Sequence, residues 1–169
     1  VVRSRRVIVL SLLVVAVGIN YLDRGSLSVA KPAAAREFGL DNAHMGLLFS
    51  SFFWSYAVFQ LVSGWLVDRH DVKWVYATGF LVWSLATAAM GVVSGFGVFM
   101  VLRLLLGMGE SVAYPATSRL LAASFQEEQR GLANSLVDAA SKIGPALSTL
   151  IGGLVIAHYG WRMLFLVVG

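Results

Sequence analysis

An all-α integral membrane protein is predicted by three features of the sequence. Hydrophobic residues make up 58% of the 169 residues and charged residues only 13%. Mean hydropathy is +0.77, outside the balance of a water-soluble domain. The apolar residues also fall in runs of roughly 20, the length an α-helix needs to cross about 30 Å of hydrocarbon.

The runs define the elements in order. Residues 7–29 form the first span, and residues 45–67, with no Asp, Glu, Lys or Arg, form the second. The stretch 74–118 is too long for one crossing. It folds back at Ser94-Gly95-Phe96-Gly97, giving a third span over 74–93 and a fourth over 98–118. Residues 131–157 make a fifth complete span, and 163–169 begin a sixth. The chain starts at Val1 without a Met and stops at Gly169 inside an apolar run, so it reads as a fragment.

Charge fixes the expected orientation. Arg3, Arg5, Arg6, Arg69, Lys73, Arg119 and Arg130 fall on one side of the spans, and Lys31, Arg36 and Arg162 on the other. The more basic side, with the N-terminus, is expected to be cytoplasmic. The net charge of +4 comes without a basic patch interleaved with aromatics, so no nucleic-acid partner is expected. There is no cysteine, which removes disulfides and thiolate metal sites. His44, His70 and His158 lie at span ends or in loops, so neither an intramembrane metal site nor an enzyme is expected.

In the fifth span, Ala140, Gly144, Ser148 and Gly152 recur every four residues, which predicts close helix packing along one face. Pro115 and Pro145 each remove a backbone donor, which predicts bends in the fourth and fifth spans.

Six ionisable residues lie inside spans: Asp23, Arg24, Arg103, Glu110, Asp138 and Lys142. A charge at the centre of a membrane helix costs at least about 2.5–3.5 kcal/mol, so these side chains are expected to face protein or a wet cavity. If the first helix leaves the membrane near Ala30, Asp23 lies about 10 Å deep and Arg103 about 7–8 Å deep, which predicts that they pair. By the same count Glu110 reaches about 18 Å, and Asp138 and Lys142 reach about 12 and 18 Å from the other face. Asp138 and Lys142, one turn apart, are a candidate buried pair. Glu110 has no basic residue one turn away on its own helix, which makes it a candidate for reversible protonation. Arg24 is the anion-binding candidate, because a guanidinium holds a carboxylate through two bonds.

Three segments carry a family resemblance. Tyr21-Leu22-Asp23-Arg24-Gly25-Ser26-Leu27-Ser28-Val29-Ala30 resembles the Tyr-x-Asp-Arg-x-x-Leu-x-x-Ala segment of the anion:cation symporter family within the major facilitator superfamily. Gly64, Asp68, Arg69 and Lys73 fit the superfamily's loop signature Gly-x-x-x-Asp-Arg-x-Gly-x-Lys/Arg, with Asp71 standing where the signature has Gly. Arg103-Leu104-Leu105-Leu106-Gly107-Met108-Gly109-Glu110 resembles the family's Arg-x-x-x-Gly-x-x-Glu.

The resemblance implies a major facilitator fold, with residues 1–169 as a partial N-terminal six-helix bundle of a twelve-helix transporter working by alternating access. The missing C-terminal half, the lipid bilayer and a small carboxylate substrate would be its partners, and protons rather than a cofactor would couple transport. It also implies that Arg24 and Tyr56 contact substrate, that Asp23 and Glu110 carry protons, and that Arg103 is the partner Asp23 releases. Gln60 and Ser141 are further pocket candidates, with helix packing the alternative for Tyr56 and Gln60. The expected function is proton-coupled symport of a sugar acid or related carboxylate in a bacterial inner membrane. The alternative is an anion exchanger or facilitator such as an organophosphate antiporter.

Overall fold

The computed structural model describes residues 2–169, with side chains from Arg5 onward. Arg3 therefore lies outside the described side chains. Seven helices follow in order: α1 (Val2–Phe38), α2 (Asn42–Arg69), α3 (Val72–Met90), α4 (Phe96–Glu110), α5 (Ala113–Ser124), α6 (Glu127–Tyr159) and α7 (Trp161–Val168). No strand occurs among the described residues.

Local chemistry sets the boundaries. Asp41 caps α2 by accepting the His44 backbone N–H at 2.8 Å, and Asp71 caps α3 by accepting that of Lys73 at 3.0 Å. Gly95, at φ +103°, turns the chain from α3 into α4, and Gly160, at φ +83°, turns α6 into α7. α1 runs through Pro32 to Phe38, well past the expected exit at Ala30.

The expected fourth span is interrupted at Ser111-Val112. Pro115 has no N–H to offer the carbonyl of Ser111, and its ring crowds that carbonyl, so the break falls one turn before the proline. The Ser111 hydroxyl instead donates to the Met108 carbonyl at 2.7 Å and meets Ser63 Oγ at 2.6 Å. Pro145 lies within a continuous α6.

Four helical stretches are long and apolar enough to cross a bilayer: 5–38, 42–69, 96–124 and 127–159. α3 rises about 28 Å over its length, but Lys73, Trp74, Tyr76, Ser84 and Thr87 dilute its apolar character and keep it outside that set.

α1 packs along α6, α4 packs against both α2 and α3, and α7 wedges against α1, α3 and α6. The face of α6 expected to pack closely does so: a Cβ on Gly144 would lie 2.7 Å from Tyr21 Cβ and 2.8 Å from the Gly18 carbonyl. Ala140, Ser148 and Gly152 are buried on the same stripe. Phe38, Phe99, Trp161 and Phe165 meet edge to face at 5.6–5.9 Å and close the end of the bundle away from the N-terminus. At the N-terminal end, Arg5, Arg6 and Lys73 line one hollow and Arg119 Nη1 bonds Asp68 Oδ1 at 2.9 Å, so basic residues from distant segments gather there.

Candidate functional site

The midsection of the bundle holds an ion pair between α1 and α4. Arg24 Nε donates to Glu110 Oε2 at 2.6 Å, with the carboxylate fully buried and the guanidinium side chain 19% exposed. Helix lengths explain the meeting. Arg24 lies 14 residues before the end of α1 and Glu110 lies 14 residues after the start of α4, so both are about 21 Å from the same end. Gly107 supports it from below, since a Cβ there would strike Ser55 Oγ and the Phe52 carbonyl, which lets α4 lie close against α2.

Aromatic rings enclose the guanidinium. Its carbon lies 4.8 Å from the Tyr21 ring, 4.7 Å from the Tyr56 ring and 5.1 Å from the Phe52 ring. Phe52 also lies 5.0 Å from the guanidinium of Arg103, so one ring separates two cations. Arg24 Nη2 and Glu110 Oε1 are buried with no hydrogen-bond partner among the described residues.

The expected Asp23–Arg103 pair is not formed. Arg103 Nε donates to the Leu48 carbonyl at 3.3 Å, its Nη1 has no partner among the described residues, and the same holds for both carboxylate oxygens of Asp23. Arg103 lies only seven residues into α4, about 10 Å from the end where Asp23 sits about 22 Å down, so the two occupy different layers. Both remain within electrostatic reach of Glu110.

Asp138 and Lys142 are also corrected. Lys142 Nζ lies 3.7 Å from Asp138 Oδ1, but within this chain the side chains are 76% and 65% exposed rather than buried. Depth along a helix does not reveal which way a residue faces. Ser141 is buried and donates to the Asp138 carbonyl at 2.6 Å and to Asp138 Oδ1 at 3.2 Å. Tyr56 and Gln60 are partly buried, one turn apart on α2.

The loop residues take structural roles. Asp68 holds Arg119, and Arg69 lies 5.0 Å from the Trp65 ring. Gly64 has open space around it. Asp71, the departure from the signature, is the cap of α3.

Sequence reasoning missed three polar neighbours of the pair. Asn20 is 1% exposed and lies beside Glu110. Tyr21 and Tyr114 share a 2.7 Å hydrogen bond between hydroxyls. Helical spacing carried the signal, because Asn20 is one turn before Arg24 and Tyr114 is one turn after Glu110. No group of three or more His, Asp and Glu residues placed to hold a metal occurs among the described residues.

The family model that matches residues 6–169 is described as the Major Facilitator Superfamily. The chain belongs to that superfamily. It is 36% identical over 164 residues to the "Probable galactarate/D-glucarate transporter GudP" of Escherichia coli K12, covering 94% of this chain and 36% of that protein. It is 34% identical over 151 residues to the "Probable sulfoacetate transporter SauU" of Cupriavidus necator, covering 89% of this chain and 35% of that protein. The chain thus spans little more than a third of the length of these relatives. Among solved structures, a bacterial homologue of the human lysosomal transporter Spinster, inward-facing and occupied, superposes with a TM-score of 0.90 at 20% identity, covering 96% of this chain and 41% of that one. This likeness concerns the fold alone: a helical major facilitator bundle.

Proposed function

We propose that this superfamily chain is the N-terminal bundle of a twelve-helix transporter that moves a small organic anion, a sugar acid or related carboxylate, together with protons. The observation that carries the reading is the buried Arg24–Glu110 pair, whose outer atoms, Arg24 Nη2 and Glu110 Oε1, have no hydrogen-bond partner among the described residues. A guanidinium binds a carboxylate through two parallel bonds, and Arg24 has only one bond committed.

In the proposed cycle a proton neutralises Glu110 and releases Arg24. The substrate carboxylate then takes the guanidinium within the cage of Tyr21, Phe52 and Tyr56, with Tyr56 and Gln60 facing substrate hydroxyls. Arg24 and the carboxylate it holds then neutralise one another in the layer between the two bundles. Asp23, whose carboxylate oxygens have no hydrogen-bond partner among the described residues, is the second proton carrier. The relatives' printed names, a galactarate/D-glucarate transporter and a sulfoacetate transporter, support an organic anion as substrate. The gathering of basic residues at the N-terminal end supports a cytoplasmic N-terminus, in a bacterial inner membrane.

The test uses the complete transporter in proteoliposomes with an internal pH dye. One compound from a panel of sugar acids should acidify the interior, and Glu110→Gln should abolish that signal. Anion counterflow with no proton entry in the unsubstituted protein would overturn symport in favour of an exchanger.

A further inference from the structure

α6 presents three faces about 120° apart at 3.6 residues per turn. One stripe, with Ala140, Gly144, Ser148 and Gly152, is buried. A second is exposed and apolar, with Leu136, Ile143, Leu147, Leu150 and Leu154, as suits lipid. The third is exposed and polar, with Ser135, Asp138, Lys142 and Thr149. Ser135 and Thr149 are satisfied on their own helix, donating at 3.0 Å to the Gly131 and Pro145 carbonyls. Asp138 and Lys142 are not so easily placed, because a charged face inside a membrane requires water or protein rather than lipid.

The pair is loose. At 3.7 Å the Lys142 ammonium is held by charge rather than by a short hydrogen bond, and its side chain is 76% exposed. Asp138 Oδ1 also lies 3.2 Å from the Ser141 hydroxyl, which shares its proton with the Asp138 carbonyl at 2.6 Å. An ammonium has three donors, so Lys142 can turn to a second acceptor while Asp138 stays in place.

The packing register sets its level. Gly144 lies against Tyr21 and Leu22, and Ser148 lies against Gly25, so α1 and α6 run parallel. Lys142 then stands about five residues along the axis from Arg24, a rise of about 7–8 Å. This offset along the helix axes is on the scale of the spacing between the two acid groups of an extended sugar diacid.

We propose that Lys142 is a second anion-binding residue that selects substrates carrying two acidic groups, with Arg24 holding one and Lys142 the other. Asp138 is the counter-ion that Lys142 leaves when such a substrate binds. The inference rests on the transport of organic acids proposed above and narrows its substrate to a dianion.

The experiment measures binding of galactarate and of galacturonate, which share a carbon skeleton but carry two and one carboxylates, to the complete detergent-solubilised transporter. Lys142→Ala should lower the ratio of galactarate to galacturonate affinity about tenfold, Lys142→Arg should retain most of it, and Asp138→Asn should raise it several-fold. Where the alanine variant does not fold, Lys142→Gln takes its place. An unchanged ratio, with both acids weakened equally or not at all, would show a packing contact with the other bundle and overturn this inference while leaving organic-acid transport standing. Failure of the unsubstituted protein to bind either acid would overturn both.

Discussion

Arg24 on α1 and Glu110 on α4 meet at 2.6 Å, 86 residues apart in sequence, with the carboxylate wholly removed from solvent. Breaking such a pair from one side leaves an uncompensated charge in a low-dielectric layer, which costs about 3–5 kcal/mol, whereas replacing both members with apolar residues is often neutral. Arg24→Met and Glu110→Leu should therefore each lower the thermal unfolding midpoint of the chain in detergent markedly, and the double variant should recover most of the loss. Additive destabilisation in the double variant would show that the two residues are not coupled.

The helical class, the return turn at Gly95 and the small-residue face of α6 were all legible in the sequence, because each follows from local periodicity or from a glycine. The pairing within the site was not. The depth count assumed that α1 ends near Ala30, whereas Pro32 is accommodated and the helix continues to Phe38. This lowers Asp23 and Arg24 by about 12 Å relative to that end, out of reach of Arg103 and level with Glu110. The i, i+4 spacing of Asp138 and Lys142 was read correctly as a pair, but burial depends on which neighbours cover that face, and spacing on one helix does not contain that information. Asp71, where this chain departs from the loop signature, is the cap of α3, a role the signature alone does not disclose.

Two glycines nine residues apart on α6 should respond with opposite sign. A methyl at Gly144 would meet Tyr21 Cβ at 2.7 Å and the Gly18 carbonyl at 2.8 Å, neither of which can swing aside, so Gly144→Ala should separate α1 from α6 at a cost of about 1–3 kcal/mol. Gly153 has nothing within 4 Å of that position, and Gly153→Ala should stabilise by up to about 1 kcal/mol through helix propensity. Thermal unfolding of the two variants side by side tests both signs. Equal effects would mean that the α1–α6 contact is looser than it looks.

The end of the bundle away from the N-terminus is tied by Arg162. Its guanidinium reaches Glu37 Oε1 at 2.7 Å and the Val93 carbonyl at 2.6 Å, while Trp161 Nε1 donates to Glu37 Oε2 at 2.7 Å. One side chain thus joins the start of α7, the end of α1 and the α3–α4 turn. Arg162→Ala should lower the unfolding midpoint more than Glu37→Gln does, because the neutral amide still accepts from Trp161 and leaves the carbonyl contact intact. Salt should weaken the Glu37 contribution and spare the carbonyl one. Indistinguishable midpoints would reduce Arg162 to an ordinary surface ion pair.

Asp41 gives the first turn of α2 a pH dependence whose sign is fixed. The His44 backbone N–H and imidazole hold the exposed carboxyl below its ordinary value of about 4. A carboxyl depressed in the folded state contributes its full stabilisation above the unfolded pKa and loses it as pH falls through the folded one. Amide exchange at His44 and Met45, corrected for its intrinsic rate, should therefore be slow above about pH 4 and accelerate below it. Asp41→Asn, which caps without ionising, should show slow exchange on both sides of that pH, and Asp41→Ala fast exchange throughout. A profile for Asp41→Asn that matched the unsubstituted protein would assign the acid sensitivity to another group.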